Sequence, residues 1–227
     1  MNLKRTFAVL LTLSAATAHA ADLSCAVVTK SATAGLANAR IHQALYTPAK
    51  GGEKLTSGDQ LSHFMVVDKT KYVGMMKDVF QVTPVTSADD QRSGVGYVNM
   101  LSQLDGGCRA LGKTTLAGRT ALIFENGSNK SKNEQLMKVW IDTATGLPLR
   151  VDIDEAAPEL TSFGVTKDRK PNIEVKKTDK RMVNSVAFLF GDAVKAPVLN
   201  AKSGKQLFGT PGKLDPQTLA AFVTLLN

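Results

Sequence analysis

From Arg40 onward the chain is built of short period-two runs separated by turn chemistry, a pattern that fits an antiparallel sheet and little else. Ile41, Gln43 and Leu45 alternate with His42, Ala44 and Tyr46, and Pro48 with Gly51-Gly52 ends the run. Further strands are expected at His63–Asp68, Lys71–Met75 and Val79–Val82, parted by polar turns such as Asp68-Lys69-Thr70. More follow at Cys108–Leu111, Arg119–Glu125, Gln135–Asp142, Leu149–Asp154, Ile173–Lys177 and Val183–Phe190. Gaps this short suit hairpins and are too short for parallel crossovers. Asn126 to Asn133 and Thr143-Ala-Thr-Gly146 read as hairpin connections, the latter with its glycine at a positive φ. The stretch after Glu155, interrupted by Pro158 and Pro171, reads as a long polar loop.

Helices are sparse. Residues 26–38 are small and Ala-rich and predict a short, weakly amphipathic helix, and Val95, Val98 and Leu101 predict another over Val95–Leu104. Asp215-Pro216 is an N-cap followed by proline at the first helical position, which opens a last helix to Leu226. Roughly nine strands and two or three helices without alternation define an antiparallel α+β class. Several strands are apolar on both sides, as where Met137, Val139 and Ile141 oppose Leu136 and Trp140, so neither face of the sheet is expected to be fully solvated.

The N-terminus carries Lys4 and Arg5, an apolar run from Phe7 to Leu13, and small residues ending Ala18-His19-Ala20. That order is a secretory signal, with cleavage expected near Ala20 and the periplasm as destination. Its apolar core falls short of the roughly 20 residues needed to span a bilayer. Lipidation at Cys25 would require an apolar residue three places earlier, where Asp22 stands. Residues 21–227 are the length of one ordinary domain. In an oxidising compartment the chain's two cysteines, Cys25 and Cys108, are expected to pair, two unpaired buried thiols being the alternative.

The formal charge of +8 falls to +6 without Lys4 and Arg5, a modest excess spread along the chain. The one dense stretch, Lys167 to Arg181, alternates lysines and arginines with Asp168, Glu174 and Asp179 and holds no aromatic residue to stack a base. It reads as a solvated loop or edge strand rather than a nucleic-acid surface, and any membrane contact through it as peripheral.

Catalytic signals are few. Gly107-Cys-Arg-Ala-Leu-Gly-Lys113-Thr114 spells a phosphate-binding loop, but that motif needs a buried strand before it and a helix opening at the lysine. His42 and His63 are the only histidines of the mature chain, and neither sits in a nucleophile elbow or a metal pair. Met65, Met75 and Met76 are explained by apolar packing more simply than as soft copper ligands. No cofactor, metal or enzymatic activity is expected.

Lys138-Val-Trp-Ile-Asp-Thr-Ala-Thr-Gly-Leu-Pro-Leu-Arg-Val-Asp152 resembles the strand-turn-strand hairpin of the LolA-like periplasmic proteins, the lipoprotein carriers and lipoprotein-sorting proteins together with the RseB-like ligand-binding domain. Leu111 to Phe124 and Val186 to Pro197 are similar to the flanking strands of that layout. The resemblance implies a half-barrel of curved antiparallel sheet, closed by helices, around an apolar interior that holds acyl chains or another lipid. Leu45, Phe64, Trp140, Leu149, Val151, Phe188 and Phe190 are the candidate lining, chosen as bulky apolar members of alternating strands. Two functions remain open. One is a periplasmic carrier or binder of a lipid or lipid-modified protein, and the other a non-catalytic module that binds a partner protein or senses envelope damage.

Overall fold

The computed structural model describes residues 17–48, 54–55, 61–76, 79–104, 107–165, 171–200 and 209–227. The expected signal up to residue 16, Gly51-Gly52, and Lys167, Arg169 and Lys170 of the basic stretch lie outside them. Among the described residues no helix is long and apolar enough to cross a membrane.

The chain opens with helix α1 (Thr17–Leu36), which runs through the expected cleavage junction, followed by strands β1 (Arg40–Tyr46), β2 (Ser62–Val67), β3 (Thr70–Met76) and β4 (Val79–Pro84). Two short helices, α2 (Ala88–Gly94) and α3 (Gly96–Ser102), lead into β5 (Cys108–Leu116), β6 (Arg119–Gly127) and β7 (Leu136–Asp142). The long β8 (Pro148–Val165) and β9 (Pro171–Phe190), the short β10 (Val198–Leu199) and β11 (Thr210–Lys213), and α4 (Pro216–Leu226) complete it. All eleven strands join one open sheet in the order β10-β11-β4-β3-β2-β1-β9-β8-β7-β6-β5. The pairings along it are antiparallel, so the α+β antiparallel architecture expected from the sequence is the one observed.

Turn chemistry fixes the registers. Asp68 and Lys69 (φ 47° and 69°) form the two-residue turn that sets Val67 opposite Thr70, and Ala117-Gly118 (φ 51° and 75°) does the same for Leu116 and Arg119. Both central residues of such a turn take positive φ, which matches the twist of the strands. Asp142 organises the β7–β8 turn: its carboxylate accepts from the Ala144 amide at 3.2 Å and the Thr145 hydroxyl at 2.7 Å, and it pairs with Arg119. Burial opposes its charge, but those hydrogen bonds and the guanidinium outweigh burial and hold the carboxyl below its usual range.

Three expectations need correction. The helix expected at Val95–Leu104 is preceded by a separate one, α2, which brings the α-helices among the described residues to four; Ser87 caps it by accepting from the Asp90 amide at 3.1 Å. The polar loop expected after Glu155 is strand, because β8 and β9 pair from Arg150↔Ala187 out to Val165↔Pro171. Pro158 is tolerated because it sits at a register shift between Ala156 and Pro158, where the ladder is irregular, and Pro171 opens its strand. Ile173–Lys177 and Val183–Phe190 are accordingly one strand.

Register divides the core into two. Ile41, Val66, Val139, Val151, Val186 and Phe188 project from one face and are covered by α1 and α3 through Val28, Ala32, Val98 and Leu101. Ala44, Met65, Ala187 and Leu189 project from the other and are covered by α4 through Phe222, Leu225 and Leu226. Cys25 of α1 and Cys108 at the start of β5 form a disulfide with Cα atoms 5.0 Å apart, and the Cys108 amide donates to Cys25 Sγ at 3.1 Å. The expected cysteine pairing is therefore present, and it fastens α1 to the sheet.

Candidate functional site

The seven residues singled out from the sequence do not converge. Leu45, Val151, Phe188 and Phe190 pack in the core beneath α1 and α3. Phe64, half-buried, pairs with Gln43 and so lies on that same face. Trp140 and Leu149 belong to the opposite core, beneath α4. Parity explains Trp140, which stands one residue from Val139, whereas Leu149, two residues from Val151, reaches the opposite core beside the register shift between Trp140 and Ile141. The first face is closely filled: Phe188 and Phe190 lie with ring centroids 6.3 Å apart, and a Cβ on Gly35 of α1 would stand 2.9 Å from the Phe190 ring. Gln43, buried on this face, accepts from the Val98 amide at 3.4 Å and so satisfies a donor at the start of α3.

Among the described residues the second face is covered by α4, with Leu55 and Val194 beside it, and the helix has few anchors. At its start Asp215 accepts from the Thr218 amide at 3.1 Å and pairs with Lys195 at 3.4 Å. At its end Arg150 donates to the carbonyls of Leu225 and Leu226 at 3.2 and 2.8 Å. Arg150 is itself held by Asp152 at 2.7 and 3.0 Å, by Ser185 at 3.3 Å, and by its position 5.3 Å from the Trp140 ring centroid. Asn227 exchanges two hydrogen bonds with the Leu55 backbone, at 2.8 and 3.2 Å.

Beneath the middle of α4 lies a pair of histidines. His42 and His63 are both buried, with Nε2 of the first 3.0 Å from Nδ1 of the second. The Phe222 ring meets His42 edge-on with centroids 4.5 Å apart. The other ring nitrogen of His42, Nδ1, is buried without a hydrogen-bond partner. Burial, and after it repulsion from a charged His63, holds His42 well below the ordinary imidazole value, and burial lowers His63 to about 4. No group of three or more His, Cys, Asp or Glu side chains suited to a metal occurs among the described residues.

At the edge of the same core a pocket of about 780 Å³ opens between β10, β11 and the start of α4. Its apolar wall is Val198, Leu199, Pro211, Leu214 and Pro216, and Lys195 and Lys213 stand beside it. Leu199 and Leu214 also pack against the core beneath α4, so this wall is continuous with that core. A smaller hollow of about 470 Å³ among α1, α2 and α3 is mixed, with Thr33, Gln91, Asn99 and Ser102 beside Leu36, Ala37 and Ala88 in its lining. The phosphate-loop spelling at Gly107–Thr114 lies in strand β5, with no helix at Lys113.

The pocket was invisible in the sequence because Val198 and Leu214 meet only through the β10–β11 pairing and the entry to α4. The histidine pair carried a weak signal, a shared parity on two strands of one hairpin. Using it requires the register, in which His42 faces Met65 and His63 faces Ala44, making the two diagonal neighbours.

No family model and no curated protein sequence matches the chain. Among solved structures it is similar to the lipoprotein LppX of Mycobacterium tuberculosis, at 13% identity and TM-score 0.43 over 76% of this chain and 97% of that one. LprF of Mycobacterium bovis aligns at 10% identity and TM-score 0.40 over 76% and 95%. MucB in complex with MucA(peri) aligns at 13% identity and TM-score 0.31 over 90% of this chain and 97% of that one.

Proposed function

We propose that the mature chain is a periplasmic, non-catalytic binder of a hydrophobic ligand of the cell envelope, a lipid or a lipid-modified protein, which enters at the pocket between β10, β11 and α4. The observation that carries this reading is the pocket itself. Its volume of about 780 Å³ is that of a small-molecule site, and its wall runs into the core beneath α4. Each methylene buried there contributes about 0.8 kcal/mol, so an acyl chain needs an apolar wall and no chemistry. Val198, 77% exposed, is an apolar side chain awaiting cover. Lys213 beside it suits an anionic head group, Lys195 being paired with Asp215. Trp140 and Leu149 share the core along which such a chain would extend, whereas Leu45, Val151, Phe188 and Phe190 serve this function by holding α1 and α3.

The test is titration of the mature protein with a fluorescent long-chain fatty acid. Leu199→Asp and Leu214→Asp are expected to weaken binding by about tenfold or more, the equivalent of ~1.4 kcal/mol. Unchanged affinity in both would place the ligand elsewhere.

One observation favours the second reading, a partner-binding module. β7 pairs with β8 only as far as Asp154, and β1 with β9 only as far as Ser185. Beyond those residues β8 and β9 form a two-stranded arm whose edges pair with no other strand among the described residues, the arrangement to which an extended peptide can add. Shortening the arm separates the readings: a partner-binding module loses its partner, and a lipid binder keeps its ligand.

A further inference from the structure

We infer that the His42–His63 pair makes α4 an acid-released cover: protonation of the pair lifts the helix from the sheet and opens the apolar face that adjoins the ligand pocket. This regulation rests on the proposed ligand site for its purpose, but its structural basis is independent of that site.

The argument begins with the protons. With the 3.0 Å link intact and both rings neutral, the pair holds two protons. When His42 donates through Nε2, its Nδ1 is a bare lone pair, which needs no partner. A third proton has one destination that keeps the link. If His42 takes it, Nδ1 becomes an N–H. If His63 takes it and donates, His42 must carry its own proton on Nδ1. Either way the added charge comes with a buried N–H at His42 Nδ1, and that atom has no acceptor. Such a donor is expensive to leave unpaired, and a charge more so.

The surroundings offer no relief. From β1 the neighbours on this face are Ala44 and Tyr46, from β2 Met65, and from β9 Ala187 and Leu189. From β3 the only titratable neighbour is the Tyr72 phenol, and from α4 come Phe222 and Leu225. No carboxylate contributes to the titration of either ring. The nearest charged side chain along the ladder is the Arg150 guanidinium, separated from His63 by Ala187 and Ala44 and of the wrong sign.

Relief therefore requires movement, and the elements differ in what movement costs. β1 is hydrogen-bonded along both sides, to β2 and to β9, so shifting it breaks two ladders. α4 is held by side-chain packing, its cap, and the end contacts of Arg150 and Asn227. Lifting it lets water reach Nδ1 directly, because Phe222 is the ring seated on His42. Once lifted, the 11-residue helix is below the length at which isolated helices persist, so opening frees the whole segment. A single His63 released from a seated value of about 4 to an ordinary value near 6.5 favours the open form roughly 20-fold more at pH 5 than at pH 7.

Amide hydrogen exchange on the ligand-free mature chain at pH 7 and pH 5, normalised for intrinsic exchange rates, reads this directly. The expected result is that Leu219 to Asn227 exchange well ahead of β6 and β7 at both pH values and lose about 20-fold of their protection at pH 5. His63→Leu, which removes the titrating partner and keeps an apolar seat, is expected to flatten that loss. Protection of α4 that stays constant between the two pH values overturns the inference. So does exchange of α4 at the same rate as β6 and β7 at both pH values, which means that the helix opens only with the whole fold, or an undiminished acid response in a folded His63→Leu protein. The fatty-acid titration at pH 7 is decided separately, so failure of the ligand site and failure of the acid release are distinguishable.

Discussion

The two faces of the sheet are sealed in opposite ways. One carries two packed helices and a disulfide, and of its buried polar side chains Gln43 has a partner while the uncharged Ser31 hydroxyl of α1 has none. The other carries one helix clipped at its ends over two histidines, one of them with an unsatisfied nitrogen. The first face is built to stay shut. The second keeps its apolar surface under a cover whose removal leaves every strand pairing intact, and the pocket opens beside that cover. A protein can hold a rigid frame and a movable wall on one sheet by distributing covalent and titratable groups unequally between its faces.

The sharpest way to break this comparison is a matched truncation. Phe188 and Phe222 are both essentially inaccessible, at 1% and 0% exposure. Phe188→Ala is expected to cost about 4 kcal/mol in denaturant unfolding, as a core truncation does when the frame cannot give way. Phe222→Ala is expected to cost less than half of that globally, because α4 can detach while the sheet stays folded. Equal losses would show that the two faces are equally rigid.

Replacing Cys25 and Cys108 by alanine is expected to cost about 4 kcal/mol, the chain-entropy value for the long loop they close. A loss below about 1 kcal/mol would mean that α1 is held by packing alone.

Acid supplies the next effect. A histidine whose value is lowered by folding is protonated more readily in the unfolded chain, so its stabilisation is complete above pH 6.5 and declines as the pH falls toward the folded value. For His63, lowered to about 4, the loss between pH 7 and pH 4 is expected to be on the order of 3 kcal/mol, and His63→Leu should remove it. A stability profile flat from pH 7 to pH 4 would contradict a buried neutral pair.

The smallest effect concerns the clip. Arg150→Met is expected to cost about 1–2 kcal/mol, from the lost bonds to the Leu225 and Leu226 carbonyls, and to increase exchange in α4 before any other element. Uniform loosening would make Arg150 a brace of the sheet instead.

Much of this frame was legible in the chain. The hairpins from β1 to β4 followed from alternation and from turns such as Asp68-Lys69, and α4 from Asp215-Pro216, because local backbone chemistry decides them. α2 escaped because Ala-Asp-Asp-Gln-Arg-Ser-Gly carries no apolar stripe; its signal was Ser87 at the cap with Asp89 and Asp90 in the first turn. The β8–β9 arm escaped because it extends beyond both neighbouring strands, and residues such as Lys176 and Lys177 are exposed, so burial imposes little alternation on it. The candidate lining was selected for size, and size does not report parity. Placing Trp140 and Phe188 on opposite faces, or bringing His42 to His63, needs the register of strands that the sequence left unpaired.

The central claim is that this fold holds a hydrophobic ligand, and native mass spectrometry of the mature protein purified from the periplasm, followed by organic extraction, tests it most directly. The account predicts a stoichiometric lipid that is retained at pH 7 and lost in the Leu199→Asp and Leu214→Asp proteins. A ligand-free mass, or a lipid carried equally by the wild type and both variants, would contradict it.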